Sequence, residues 1–252
     1  MTLLTVDSVT KRYGGLVAVD ECSFEIGSDS LLGLIGPNGA GKTTLFNIIT
    51  GLEDVDGGTI EIGGTRIENE RPSRINREGI ARSFQTTREW SRMTVMENLL
   101  LASPDQPGES PVLGVLNTPS VRETEAEKIE EASEVLRLVE LYEKRNELAS
   151  SLSVGQRKLL EIGRCLMTDP DLLLLDEPFA GVAPALVPVI AEHLGTLQGE
   201  DLSILIIEHN IDELSNLVEE ILVMNNGQIM TRGAPEDVRR DREVQEAYLG
   251  GQ

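Results

Sequence analysis

The chain has 252 residues, 40% hydrophobic but only 3% aromatic, so it can bury a sizeable core that must be largely aliphatic. Its 43 acidic and 22 basic residues give a formal net charge of −21, a field that repels nucleic acid and argues against it as a partner. Apolar runs such as Leu172–Leu175 are strand-length, far short of the roughly 18–20 residues of a membrane span. The first residues show no basic region followed by an apolar core, so a soluble, unexported chain is expected. The two cysteines, Cys22 and Cys165, form no CxxC motif or Cys/His cluster, which suits a reducing compartment and offers no zinc site.

In chain order, residues 1–30 alternate apolar and polar positions between turn signals and read as short strands and hairpins. Leu31–Ile35 is a buried strand ending at Gly36, and Thr43–Thr50 begins a helix. Glycines at 51, 57–58 and 63–64 punctuate two further short strands. Met96–Ala102 and Glu123–Leu141 have helical spacing, with the proline-rich Ser103–Ser120 between them as a loop. We therefore expect a helical insert over 86–160. From Asp171 strands and helices alternate: LLLLD, ALVPVIAEHLGTL, SILIIEH, NIDELSNLVEE and ILVMN, then a turn at Asn226-Gly227 and a short closing helix. Such alternation predicts an α/β fold with a mainly parallel sheet covered on both faces.

The segment from Gly36 to Thr44, GPNGAGKTT, fits G-x-x-x-x-G-K-[ST] between a buried strand and a helix, the context that a phosphate-binding loop requires. Gly36, Asn38, Gly39 and Gly41 let backbone N–H groups turn inward around phosphates, and the helix N-terminus adds positive potential. Lys42 is placed to reach the outer phosphates, Thr43 to offer its hydroxyl to Mg²⁺, and Thr44 to donate to phosphate. The run LLLLDEP ends a buried strand at Asp176, a carboxylate suited to hold Mg²⁺ through water. Glu177 follows as a candidate general base. No Asn-Lys-x-Asp segment accompanies these motifs, which disfavours a guanine-specific enzyme. Leu152-Ser153-Val154-Gly155-Gln156 precedes a helix and forms a further anion site, or simply a cap built on Ser153.

The ordered set of phosphate loop, Gln85, LSVGQ, LLLLDEP and His209 resembles the ATP-binding subunit of ABC transporters over essentially the whole chain. The resemblance implies a P-loop NTPase core over 1–85 and 161–252, with an N-terminal antiparallel β subdomain and the helical subdomain over 86–160 inserted. It also implies ATP and Mg²⁺ as ligands. Tyr13 then corresponds to the aromatic residue that stacks on adenine. Gln85 corresponds to the glutamine touching Mg²⁺ and water, and His209 to the histidine contacting the γ-phosphate. Ser153, Gly155 and Gln156 would close over ATP held by a partner's phosphate loop, in a head-to-tail dimer with a second ABC ATPase, whether a sister or the same chain. Two positions depart from the family pattern. Val154 stands where Gly is common, and Ala183 where a polar residue, often Asp, helps couple the two sites.

YGGLVAVDECSFEI, LFNIITG, ARSFQ, MTVMENLLLA and the closing AYLG together resemble the subfamily serving branched-chain amino acid importers. That implies membrane permease subunits, an external solute-binding protein and a place on the cytoplasmic face of the membrane. Trp90, Met93 and Met96 are then candidates to line the groove that meets the permease, or to fill the core. The alternatives are the ATPase of another transporter, a non-transport ABC protein, or a subunit that binds ATP without turnover. Repair-type ABC proteins usually carry a long coiled coil or zinc cysteines in the insert, ribosome-acting types two sets of motifs, and exporters a fused membrane domain, none of which this sequence shows, and its net charge of −21 also argues against nucleic acid. Glu177 and His209 argue against the last, with Ala183 the one feature in its favour. The acidic, lysine-poor composition resembles that of proteins from salt-loving organisms, the alternative being an ordinary acidic surface.

Overall fold

The computed structural model describes residues 1–83, 90–104, 119–198 and 202–249. Gln85 and most of the proline-rich loop predicted at 103–120 lie outside the described residues. The chain divides into two compact units, one of Met1–Gln85, Pro170–Ala180 and Val187–Gln252, the other of Thr86–Asp169 and Gly181–Leu186.

The first unit holds two sheets. β1 (Thr2–Tyr13) and β2 (Leu16–Gly27) form a long antiparallel hairpin. β4 (Gly57–Ile62) and β5 (Thr65–Arg66) extend it to the order β2-β1-β4-β5. The second sheet combines β3 (Leu31–Ile35), β6 (Ile80–Arg82), β7 (Leu172–Asp176), β8 (Ser203–Ile207), β9 (Glu220–Asn225) and β10 (Gln228–Gly233). Its order is β10-β9-β3-β8-β7-β6, parallel throughout except for the β9–β10 hairpin at one edge. Every residue of β3, β7 and β8 is buried. Their sequences LLGLI, LLLLD and SILII are accordingly near-continuous apolar runs, because a central parallel strand is covered on both faces.

Leu4, Val6, Ile26 and Ile60 of the antiparallel sheet share one apolar cluster with Leu32, Leu174 and Leu205 of the parallel sheet and with α1 (Lys42–Ile49). α1 contributes Leu45, Phe46, Ile48 and Ile49. α2 (Pro72–Arg77), α6 (Val187–Gln198), α7 (Ile211–Leu214), α8 (Pro235–Arg240) and α9 (Arg242–Leu249) complete this unit. The helix expected over NIDELSNLVEE is far shorter, because α7 stops at Leu214 and the chain turns. Leu214 and Val218 instead drop onto β3 at Gly33, where an added Cβ would lie 2.7 Å from Leu214 Cδ1. The missing side chain at Gly33 is what admits this close contact.

In the second unit, α3 (Val95–Leu100), α4 (Pro119–Leu138) and α5 (Val154–Leu166) pack together. Ala132, Val135, Leu136 and Val139 recur at helical spacing and are buried. Gly163 of α5 faces Val135, Val139 and Leu99, so the helices approach closely. Thr94 and Glu97 cap α3 reciprocally. α5 and the residues up to Asp169 belong to this unit, so it runs beyond residue 160 and also takes in Gly181–Leu186.

Candidate functional site

The loop after β3 is shaped by what surrounds it. A Cβ on Gly36 would come 2.1 Å from the Met224 carbonyl oxygen of β9, so only glycine fits there. Gly41 is left-handed, with φ 106, and sits at the N-cap of α1 with Ala18 O 2.3 Å from where a Cβ would stand. The loop closes on itself through Ala40 N–H to Pro37 O at 3.1 Å, and Leu45 N–H to Gly41 O at 2.9 Å starts the helical ladder. The β9–β10 turn braces it from outside, since Gly227 N–H donates to Ala40 O at 2.9 Å. That turn has φ 48 at Asn226 and 83 at Gly227, the primed hairpin form expected of Asn-Gly.

Lys42 is buried to 6% exposure, and its Nζ donates to Gly36 O at 2.6 Å and Pro37 O at 3.2 Å. Burial lowers its pKa, while the charges of Glu177 and Asp176 raise it. The ammonium thus rests on loop carbonyls, beside two carboxylates, at the point where an anion would draw it out.

A cleft of about 310 Å³ lies over the loop. Asn38, Gly39, Ala40, Gly41, Lys42, Thr43 and Thr44 line one side. Tyr13 with Leu16, Val17 and Ala18 of the β1–β2 hairpin, together with Glu177 and His209, line the rest. The fold therefore brings together, in one place, residues from the loop after β3, the ends of β7 and β8, and the distant N-terminal hairpin. His209 Nε2 is 2.5 Å from Glu177 Oε1. Tyr13 is half exposed, with Lys11 Nζ 5.5 Å from its ring centroid.

Asp176 ends β7 and is 1% exposed. Its Oδ2 accepts from Arg82 Nη2 at 2.9 Å, and Ser83 Oγ accepts its backbone N–H at 3.2 Å. Its Oδ1 is buried with no hydrogen-bond partner among the described residues. Arg82 is held in turn by Asn47 Oδ1 at 2.8 Å and Thr50 Oγ1 at 3.3 Å, and lies 5.5 Å over the Phe46 ring. Ser153, Gly155 and Gln156 belong to the second unit. Ser153 Oγ accepts from Gln156 N–H at 3.3 Å and Gln156 Oε1 from Ser153 N–H at 3.0 Å, so the LSVGQ segment opens α5 with a reciprocal cap.

Sequence reasoning missed Arg82, Glu208 and the apolar wall Leu16–Ala18. Leu16 carries a signal in retrospect, since it is 65% exposed beside Tyr13 at a hairpin tip. Arg82 carried a weaker one: a charged residue in the short strand pattern just before Gln85.

Fold and cleft together define an α/β protein of the phosphate-loop nucleotide-binding class. The profile of the ABC transporter family matches residues 19–180, and that of the branched-chain amino acid ATP-binding cassette transporter matches residues 228–252. The chain is 39% identical over 249 residues to the high-affinity branched-chain amino acid transport ATP-binding protein LivG of Salmonella typhimurium, covering 98% of each. It is 38% identical over 254 residues to a probable LivG of Methanocaldococcus jannaschii, covering 99% of this chain and 98% of that one. Among solved structures, a nucleotide-free ATP-binding cassette from an ABC transporter superposes with a TM-score of 0.85 at 37% identity, covering 98% of both chains. An ADP conformation of such a cassette gives 0.85 at 36% identity, covering 99% of both. The chain belongs to the ABC transporter family.

Proposed function

We propose that this chain is the ATP-binding and ATP-hydrolysing subunit of an importer for branched-chain or related amino acids. The observation that carries the reading is the single cleft shared by Tyr13, the phosphate loop, Glu177 and His209. Tyr13 stacks on adenine beside the apolar Leu16–Ala18 wall. Loop N–H groups and the start of α1 hold the phosphates, and Lys42 exchanges loop carbonyls for phosphate oxygens. Glu177 takes a proton from the attacking water, and His209, across a 2.5 Å contact, orients it and meets the γ-phosphate.

Mg²⁺ fits the residues present. Asp176 offers a buried carboxylate oxygen without a hydrogen-bond partner among the described residues, and Thr43 lines the cleft beside Glu177, the next residue in the chain. Thr43, Asp176 and Gln85 would hold it, Gln85 lying outside the described residues. When bound it neutralises charge on the outer phosphates.

Ser153 uses its hydroxyl oxygen to cap α5 and keeps its proton to donate. In our reading that proton, with Gly155 and Gln156, meets the ATP of a second ATPase subunit in a head-to-tail dimer, which opens once the γ-phosphate leaves. No described helix is long and apolar enough to cross a membrane. Membrane permease subunits would therefore hold the chain at the cytoplasmic face, and an external binding protein would deliver the solute. The acidic surface is read as an adaptation to salt. The homology to branched-chain amino acid transport proteins supports the solute class.

The test is Glu177→Gln, followed by size exclusion with ATP and Mg²⁺ and by phosphate release. The wild type is expected to release phosphate. The variant should release at least ~100-fold less and accumulate an ATP-dependent dimer. A variant that hydrolyses as fast as wild type removes Glu177 from the role of base. A silent variant that stays monomeric points to a sister ATPase as the native partner.

A further inference from the structure

Glu208 is 3% exposed, and it sits where the loops around the cleft of the first unit converge. Its N–H donates to Leu34 O at 3.2 Å, on the strand that runs into the phosphate loop. Its Oε1 accepts the Phe179 N–H at 3.1 Å, two residues beyond Glu177. Its chain neighbour His209 faces Glu177.

The turn that this bond reaches is an unusual one. Glu177 has φ 52, a left-handed conformation that a glutamate keeps only when its surroundings fix it. Glu177 N–H donates to Ile207 O at 3.0 Å and Ala180 N–H to Glu177 O at 3.1 Å, which leaves the Phe179 N–H for Glu208. Remove that acceptor and a buried donor is orphaned in the turn that aims Glu177.

We propose that Glu208 is a positioning residue for ATP hydrolysis, its carboxyl group clamping the turn after β7 to the end of β8 so that Glu177 keeps facing His209. The inference rests on the ATPase reading above. The environment favours an uncharged clamp. Burial first, then the charge of Glu213 and a hydrogen bond shared with its carboxyl, and last the charge of Glu177, push the Glu208 carboxyl up to about 8, against the bond from Phe179 that favours ionisation. The titratable groups around it are thus Glu177 and His209 at the strand ends and Glu213 on α7. A protonated carboxyl still accepts through one oxygen, and it avoids a second buried negative charge beside Glu177. Glutamine reproduces both properties, whereas alanine is uncharged but offers no acceptor to the Phe179 N–H.

Wild type, Glu208→Gln and Glu208→Ala are compared for steady-state ATP hydrolysis across about pH 6 to 9, with ATP affinity measured by titrating a fluorescent ATP analogue. At neutral pH the glutamine variant is expected within about twofold of wild-type kcat. The alanine variant should lose about tenfold or more, with affinity changed by less than about threefold. The wild-type rate should fall on the alkaline side as Glu208 ionises, and the glutamine variant should lack that fall. Wild-type kcat in the alanine variant overturns the inference, as does a glutamine variant as impaired as alanine at neutral pH. Should the alanine variant not fold, Glu208→Leu, which fills the volume but offers no acceptor, takes its place: wild-type kcat in it overturns the inference, and a loss of about tenfold or more with affinity kept supports it. An inactive wild type sinks the ATPase reading itself, whereas an active wild type with indifferent variants sinks only the role of Glu208.

Discussion

Arg82 and Asp176 form an ion pair whose side chains are 7% and 1% exposed, at the end of a parallel strand pair. Two charges leave water to make it, and the added bonds from Asn47 and Thr50 offset part of that desolvation. The pair also settles which face of the Asp176 carboxylate is spoken for: Oδ2 is taken by Arg82, and Oδ1 is left without a hydrogen-bond partner among the described residues. Removing the guanidinium leaves a buried carboxylate without its hydrogen-bonded cation, the Lys42 ammonium acting on it only through space. Arg82→Met is therefore expected to cost about 3–5 kcal/mol in urea unfolding, whereas Arg82→Met combined with Asp176→Asn should recover most of it, because the charge is gone with its partner. Recovery below a third of the loss would place the effect in packing over Phe46 instead. The sequence disclosed Asp176, since a carboxylate ending an apolar run is conspicuous. It did not disclose Arg82, since nothing in one strand's pattern says which charge a neighbouring strand will present to it.

The elements that sequence periodicity resolves well are those whose environment is uniform. β3, β7 and β8 are covered on both faces, so unbroken apolar runs mark them, and Asn226-Gly227 dictates its own turn. The reading was weaker where tertiary contacts decide the ending. α7 stops at Leu214 because Leu214 and Val218 pack onto Gly33, a contact between residues nearly two hundred positions apart that local spacing cannot encode. In the second unit, Asn98 is the corresponding hidden element. It is fully buried in α3, donates to Trp90 O at 3.1 Å and Thr94 O at 2.9 Å, and accepts Trp90 N–H at 2.8 Å. It therefore ties the chain entering this unit to the helix that follows. Asn98→Leu removes these bonds and leaves the Trp90 N–H without its acceptor. It is expected to cost about 2–3 kcal/mol or more, read as a drop in the urea midpoint. A loss confined to a few tenths would mean that water replaces the side chain and that Asn98 is no brace.

At the scale of the whole molecule, the site is assembled from parts far apart in sequence. The phosphate loop and Asp176–Glu177 are legible as motifs because their residue types carry chemistry, whereas Tyr13 and His209 are picked out only by resemblance to the family. The phosphate loop, Glu177 and His209 meet because the sheet order places β3 between β9 and β8 and β7 beside β8, while Tyr13 comes from the separate antiparallel sheet. The surface around this assembly carries the net charge of −21, with no compensating basic half. Self-repulsion of that size opposes the compact state, and exposed pairs such as Arg66–Glu61 are too solvated to offset it. Raising salt from about 0.1 to about 1 M shortens the screening length from about 10 to about 3 Å. Screening should therefore stabilise the fold rather than weaken it, and the melting temperature is expected to rise by several degrees over that range in potassium chloride. The matched control is a variant in which about eight exposed Asp and Glu residues on the outer helix faces become Asn and Gln. It should melt higher at low salt and respond less to added salt. An equal response in both proteins would assign the effect to strengthened burial of apolar surface, and the acidic surface would then contribute solubility but no dependence of the fold on salt.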